Sequence, residues 1–455
     1  MKNQALGVAP DDYALLTDLY QLTMAACYVG EGLDQRWASF ELFTRHLPEN
    51  YGYLIAMGLA QAIDYLTNLR FAPAHLDALR QTGLFEKAPT MFWQRLGESG
   101  FTGHVWAMPE GTAVFAQEPL LRVEAPLWQA QIAETYLLNA INYQTLIATR
   151  AARLRDVAGP AARLLEFGTR RAFSPQGAMW AARAALGAGL DATSNVLAAL
   201  ELGTQPAGTM AHALVMAFTA IEGDEDEAFE AFQRYFPGAA LLIDTYDSVA
   251  AAERLAQQVR LGKSSVAGVR LDSGDLVALS RAVRSRLPQT AIFASGDLDE
   301  YEIDRLKKAG AQIDGYGLGT RLVTGSPVNG VYKLVDIDGI PVMKESSHKA
   351  TLPGRKQVFR RWNGGQAVAD RLGLVDEPPR SAERPLLELV MQDGQPLYPA
   401  EPLDAIAQRT AESVASLPET ARRLTDPTPL TVEISAPLAT LVAKTSRLTV
   451  PPLSC

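Results

Sequence analysis

Cysteine is nearly absent from this 455-residue chain, which has two, Cys27 and Cys455. Two sulfurs make neither a disulfide framework nor a thiolate metal site, so a reducing, cytoplasmic setting is expected. An excess of positive charge is also lacking: 42 Lys and Arg stand against 51 Asp and Glu, a formal charge of −9. That balance argues against a nucleic-acid binder, which would carry a basic face. The short basic pairs Lys307-Lys308 and Arg360-Arg361 read as solvated ends of elements. Long apolar runs are missing as well; Ala148–Leu165 is interrupted by four arginines and an aspartate. No membrane span is expected, and the first residues lack the basic start and apolar run of a secretory signal. No repeat or low-complexity tract stands out. What the chain does hold is 47% hydrophobic and 20% charged residues, a globular composition with apolar material for a large core. Its length exceeds one ordinary domain, so two or three are expected.

The pattern of residues changes along the chain. After a short tail, Tyr13–Val29 is apolar at helical spacing, starts behind Asp11-Asp12 and stops at Gly30 and Gly32. Trp37–Phe43 alternates as a strand, and Gly58–Leu69 reads as a helix. Gly103–Met108 and Thr112–Val123 read as strands and turns, and Pro126 opens a long helical stretch, Leu127–Val157. From Ala161, short apolar strands alternate with helices: Arg163–Phe167, Leu241–Asp244, Val266–Leu271, Ala291–Ala294 and Ile313–Tyr316 are the clearest strands. Such alternation implies parallel strands. Beyond Val331, Lys333–Asp336 and Pro341–Lys344 flank an Asp-Gly turn, and Gln357–Arg361 precedes Asn363-Gly364-Gly365, marking a β-rich second domain. The tail Thr428–Cys455 is apolar with prolines and is expected to pack on the surface or against a partner.

The chemistry gathers where the strands end. Phe167-Gly168-Thr169-Arg170, Thr193-Ser194-Asn195, Asp244-Thr245-Tyr246-Asp247, Arg270-Leu271-Asp272-Ser273-Gly274-Asp275, Ser295-Gly296-Asp297 and Gly317-Leu318-Gly319-Thr320 follow successive strands. The carboxyl ends of parallel strands are where α/β barrels place their chemistry, and glycines there let backbone amides approach phosphate. An open doubly wound sheet would use the same edge. Six contributing strand ends favour the barrel.

Each motif has a plain structural reading beside the functional one. Arg270 can grip phosphate bidentately while Asp272 and Asp275 bond ribose hydroxyls or hold Mg²⁺ through water; Ser273 or Asp275 would equally serve as a helix cap. Phe167 offers a face to a flat ring and Arg170 a guanidinium to a carboxylate or phosphate, but a core phenylalanine with arginines on the next turn fits the same letters. His212, following Gly208-Thr209-Met210-Ala211, suits a general base, an anion contact or a nucleophile toward ATP, or a packed core histidine. The acidic run Glu222–Glu227 reads as a solvated loop and first helical turn.

Taken in order, these segments resemble the nicotinate phosphoribosyltransferases. The resemblance rests on Leu16-Thr17-Asp18-Leu19-Tyr20-Gln21-Leu22-Thr23-Met24, Phe40-Glu41-Leu42-Phe43, Glu166-Phe167-Gly168-Thr169-Arg170-Arg171, Ser194-Asn195-Val196-Leu197-Ala198 and Gly208-Thr209-Met210-Ala211-His212. It continues through Asp244-Thr245-Tyr246-Asp247, Val269–Asp275, Ser295-Gly296-Asp297, Tyr316–Thr320 and Leu352-Pro353-Gly354-Arg355-Lys356-Gln357. Residues 11–360 are covered in family order; the last ninety or so match less distinctly.

The resemblance implies an α/β fold: an irregular parallel, TIM-like barrel with a second α+β domain built from both chain ends. Residues 1–125 would form the N-terminal part of that domain, 126–330 the catalytic barrel, and 331–455 the segment completing the α+β domain. It implies transfer of the ribose 5-phosphate of phosphoribosyl pyrophosphate to nicotinate in NAD biosynthesis, with Mg²⁺ as cofactor and ATP as co-substrate, in a homodimer with shared sites. The pyridine ring would lie between Phe167 and Tyr20 of the partner subunit, near Asp18. Arg170, Arg270, Asp272, Gly296, Asp297, Gly319 and Thr320 would hold ribose and phosphates, with His212, Arg270 and Asp272 in catalytic roles. His212 would be the histidine phosphorylated by ATP. Related nicotinamide enzymes carry an aspartate where Ser194 aligns; a serine hydroxyl can donate to the nicotinate carboxylate, which an aspartate would repel. The rivals are a nicotinamide- or quinolinate-using transferase on the same scaffold and a non-catalytic nucleotide-binding dimer.

Overall fold

The computed structural model describes residues 6–98, 100–345 and 351–449. It divides into two compact units, one of residues 1–146 and 327–455, the other of residues 147–326.

In the first unit, Trp37–Thr44 is buried along seven of its eight positions. An edge strand would leave more of it in water, and it lies in the middle of a seven-stranded sheet. It pairs antiparallel with Pro119–Pro126 on one side and Gly330–Ile337 on the other. One sheet therefore holds strands from early and late in the chain, with His104–Ala107 and Glu388–Gln392 continuing it. Phe40 stacks on Tyr332 across this pairing, ring centroids 4.9 Å apart. A second sheet of four strands contains the hairpin Lys356–Asn363 and Gln366–Leu374. Its turn uses Gly364 and Gly365 at φ 56° and 86°, left-handed values that suit glycine and a tight hairpin. Between the strands lie paired buried charges: Lys356 Nζ is 2.8 Å from Glu41, and Arg360 grips both oxygens of Asp370 at 2.9 and 2.6 Å. Deleting one partner of such a pair leaves an uncompensated charge, costing about 3–5 kcal/mol.

Three expectations for this unit change. The helix expected over Tyr13–Val29 is a 3-10 turn, Pro10–Leu15, followed by a helix over Leu19–Gly30. Asp18 between them is extended (φ −73°, ψ 142°), its N–H donating to Thr135 Oγ1 while that hydroxyl donates to Asp18 Oδ2. Apolar spacing could not reveal a tie to a residue 117 positions away. The long helix breaks at Ala133 into Leu127–Ile132 and Glu134–Ala158. The tail contributes the strand Val432–Ile434, parallel to Gln366–Leu374, and a helix over Ala436–Thr449; residues 450–455 fall outside the described residues.

The second unit carries six parallel strands: β1 (Arg163–Glu166), β2 (Ala192–Thr193), β3 (Leu241–Leu242), β4 (Gly268–Leu271), β5 (Ala291–Ala294) and β6 (Gly315–Leu318). Their order is β2-β1-β6-β5-β4-β3. The first strand pairs with the last, as in a ring, but β2 and β3 do not pair with each other. The α/β unit with a parallel sheet is as expected, but the strands of the expected irregular, TIM-like barrel do not close into a ring, and the sheet is open at that seam. Helices follow the strands and begin behind side-chain caps: Asn195 Oδ1 accepts from Ala198 N, Asp247 Oδ1 from Val249 N and Ala250 N, Asp275 Oδ1 from Val277 N and Ala278 N, and Asp299 Oδ1 from Glu302 N. Capping thus explains part of the polar enrichment at the strand ends. Those same ends face one edge of the sheet, because all six strands run the same way.

Candidate active site

Phe167 leaves the end of β1 with its N–H bonded to Leu318 O at 2.7 Å. Its ring lies against Gly317 of β6, so closely that a Cβ there would sit 2.6 Å from ring atoms Cδ2 and Cε2. The loop behind it is fixed from below. Glu166, 1% exposed, accepts from Gly168 N in a short hydrogen bond and from Thr193 Oγ1 at 2.5 Å, while Thr193 Oγ1 accepts from Asn195 N at 2.9 Å. One carboxylate therefore ties the Phe167–Arg170 loop to the Ser194-Asn195 loop. Burial pushes its pKa upward, and the two donors pull it back.

Arg270 on β4 reaches the same space. Its Nη1 donates to Thr209 Oγ1 at 2.5 Å, and its buried Nε has no hydrogen-bond partner. Burial lowers its pKa; Asp272 and Asp244 act oppositely, and the nearby positive charge of Arg170 adds to the lowering. Two guanidinium groups close enough to oppose each other's charge, one with a vacant donor, make a place for an anion. Phe167, Arg270, Thr209 and Gly317 border a cavity of about 320 Å³.

A second depression, about 550 Å³, lies across the loops that follow β4 and β5 and includes Asp272, Ser273, Gly296 and Asp297. Ser295 Oγ donates to Asp272 Oδ1 in a short hydrogen bond. Gly296 has φ 97°, and a Cβ on it would lie 2.3 Å from Asp272 O; glycine is required by both conformation and space. Asp297 follows at φ 51°.

Asp244 joins this depression to His212. Its Oδ2 accepts from Asp272 N at 2.9 Å and from Ser273 Oγ at 2.7 Å. Its Oδ1 is buried without a hydrogen-bond partner and lies 4.0 Å from His212 Nε2. His212 opens the helix His212–Glu222, and its Nδ1 is 3.0 Å from Thr245 Oγ1.

The sequence-selected residues thus fall into groups. Phe167 and Arg270 share one cavity, with Arg170 at its electrostatic margin; Asp272, Gly296 and Asp297 share the other; His212 stands against Asp244 and Thr245. Ser194 hangs from Glu166 O through its N–H at 2.9 Å, and Gly319 and Thr320 begin the short helix after β6. Asp18 and Tyr20 belong to the first unit, at the start of helix Leu19–Gly30, where Tyr20 is 47% exposed. Sequence reasoning gave no role to Glu166, Thr209, Asp244 or Thr245. Asp244 had a usable signal: like Asp272, it is an aspartate directly after an apolar strand.

Among the described residues, no group of three or more His, Cys, Asp or Glu side chains is arranged to hold a metal ion. Asp272 and Asp297 nevertheless offer the hard oxygen donors that Mg²⁺ takes when it is bound through water and phosphate. No described helix is long and apolar enough to cross a membrane.

Parallel strands, two guanidinium groups beside an aromatic face, and glycine loops with aspartates define an α/β enzyme suited to phosphorylated, ring-bearing ligands. Comparison with known proteins narrows the class. Residues 162–361 match the model of the nicotinate phosphoribosyltransferase family, 15–142 that of its N-terminal domain and 380–442 that of its C-terminal domain. The chain is 41% identical over 425 residues to a nicotinate phosphoribosyltransferase of Mycobacterium tuberculosis, covering 91% of this chain and 89% of that protein. It is 39% identical over 472 residues to that of Bacillus subtilis, covering 94% of each. The crystal structure of human nicotinic acid phosphoribosyltransferase superposes with a TM-score of 0.81 at 31% identity, covering 95% of this chain and 100% of the human one. The chain belongs to the nicotinate phosphoribosyltransferase family.

Proposed function

We propose that this chain joins nicotinate to the ribose 5-phosphate of phosphoribosyl pyrophosphate, releasing pyrophosphate and forming nicotinate mononucleotide. The observation that carries this reading is the meeting of Phe167 and Arg270 at one cavity, with the charge of Arg170 acting on Arg270, beside the Asp272–Asp297 loops. A flat anionic ring suits the first group, and a phosphorylated sugar suits the second.

The pyridine nitrogen is already nucleophilic and attacks the sugar C1 without losing a proton. The C1–O bond to pyrophosphate breaks, and charge develops as in an oxocarbenium ion. The residues therefore act by positioning and charge stabilisation. Phe167 orients the ring, Arg170 and Arg270 balance carboxylate and phosphate charge, and Ser194 donates toward the carboxylate. Asp272 and Asp297 hold ribose hydroxyls, and the backbone at Gly296, Gly319 and Thr320 leaves room for phosphate. Mg²⁺, bound through Asp272 and Asp297, would supply positive charge to the departing pyrophosphate. Asp18 and Tyr20 would complete the ring subsite from the partner subunit.

ATP coupling would run through His212. With Nδ1–H donating to Thr245 Oγ1, the Nε2 lone pair is free to take the γ-phosphoryl group of ATP, releasing ADP; water later cleaves the P–N bond. The reading includes a homodimer in the cytoplasm, and it takes the six strands as an irregular barrel left open between β2 and β3. Val196, Leu197 and Leu200 expose 58%, 57% and 65% of their surfaces on one short helix, an apolar face of the kind a subunit contact covers. Purified protein incubated with phosphoribosyl pyrophosphate and either nicotinate, nicotinamide or quinolinate, with and without ATP, tests the proposal by mass detection of the mononucleotide. Nicotinate should give the dominant product; preference for either other pyridine would overturn the assignment.

A further inference from the structure

The side chains that enter the cavity of the second unit stand in tiers. Phe167 is uppermost. Below it, Gly317 is level with Leu165. One pair of residues deeper, Phe293 is level with both Arg270 on β4 and Gly315 on β6. Deeper again, Ala291 is level with Gly268. Parallel barrels fill such inward positions with branched side chains, whereas here glycine and alanine occupy half of those named.

Phe293 explains one of the glycines, Gly315, and touches the space over a second. A Cβ at Gly315 would lie 2.6 Å from its Cε1, and one at Gly268 would lie 3.4 Å from its Cε2. Its ring thus lies across the sheet, over both neighbouring strands, just as the Phe167 ring lies on Gly317. A glycine inside a strand marks the close approach of another group, and here the group is an aromatic ring. Phe293 remains half-buried in mid-strand, and the cavity continues past it to Ala267, Gly268 and Ala291.

We propose that Phe293 is the floor of the ring subsite and sets the substrate class: pyridine carboxylates with no bulky substituent on the edge remote from the ring nitrogen. The inference rests on the transferase reading above. A ring whose nitrogen must meet the ribose at the strand ends turns its opposite edge, carbons 4 and 5, down the cavity. Phe293 meets that edge. Removing its ring widens the passage from the subsite into the deeper space bordered by glycine and alanine.

The test compares kcat/KM for nicotinate, 5-methylnicotinate and 5-phenylnicotinate in the full chain and in its Phe293→Ala and Phe293→Leu variants, with thermal melting to confirm folding. The 5-phenyl to nicotinate ratio should rise roughly tenfold or more in the variants, the scale on which pocket size discriminates. Should Phe293→Ala fail to fold, Phe293→Leu, which keeps an apolar side chain, decides the question. Transfer from nicotinate with an unmoved ratio overturns this inference alone. Absence of nicotinate transfer by the unaltered chain overturns the transferase reading, and this one with it.

Discussion

At His212 the two ring nitrogens meet different neighbours, Thr245 at 3.0 Å and the Asp244 carboxylate at 4.0 Å. Thr245 can fix the tautomer, and Asp244 can stabilise the positive charge that forms on a phosphorylated imidazole. Replacing His212 with Ala should abolish ATP stimulation while leaving some basal transfer, measured as mononucleotide formed with and without ATP. Full ATP-driven turnover in that variant would remove His212 from the coupling. Sequence alone could propose His212, but a histidine at the start of an apolar helix is equally a packed one. Its partners lie 32 and 33 positions away and meet it only because β3 ends beside the start of its helix.

Between strand and helix, the decisive elements are the turns. Gly296 stands where the chain must pass against Asp272 O, with φ 97° and no room for a side chain. Gly296→Ala should therefore displace the Asp272 and Asp297 loops together. A loss of kcat/KM for phosphoribosyl pyrophosphate, with global melting shifted only modestly, is the expected result; unaltered kinetics would show that the turn does not serve the site. Ser295-Gly296-Asp297 was legible as a turn at a strand end, since glycine and aspartate tolerate the left-handed region. Its place against Asp272 depends on β4 and β5 being neighbours. Gly317 and Gly315 were less legible still: they read as turn or strand residues, and only the Phe167 and Phe293 rings lying on them supply the reason.

For the molecule as a whole, the first unit stores charge in its interior. Glu118 is fully buried, accepts from Phe115 N at 2.8 Å and lies beside Asp370, which Arg360 already grips. Burial, and then the negative charge of Asp370, raise the Glu118 pKa well above its ordinary 4.5. A carboxyl group raised in the folded state contributes stability that is complete below its unfolded value and is lost as pH rises through the folded value. The chain should thus lose thermal stability on the alkaline side of pH 4.5 relative to Glu118→Gln, which cannot ionise. Parallel melting curves across the pH range would show that Glu118 is not the source.

The residue order by itself determined the alternation of strands and helices from residue 161 onward, the collection of polar groups at strand ends, and the family. These follow from local rules: side-chain period, capping and glycine placement act within a few residues of themselves. Tertiary structure alone decided that the parallel sheet stays open between β2 and β3. It also brought Trp37–Thr44 together with Gly330–Ile337, bound Asp18 to Thr135, and gave Glu166, Asp244 and Phe293 their neighbours. Pairing energies between residues tens or hundreds of positions apart have no local signature, so folding has to bring such groups together before their chemistry can be read.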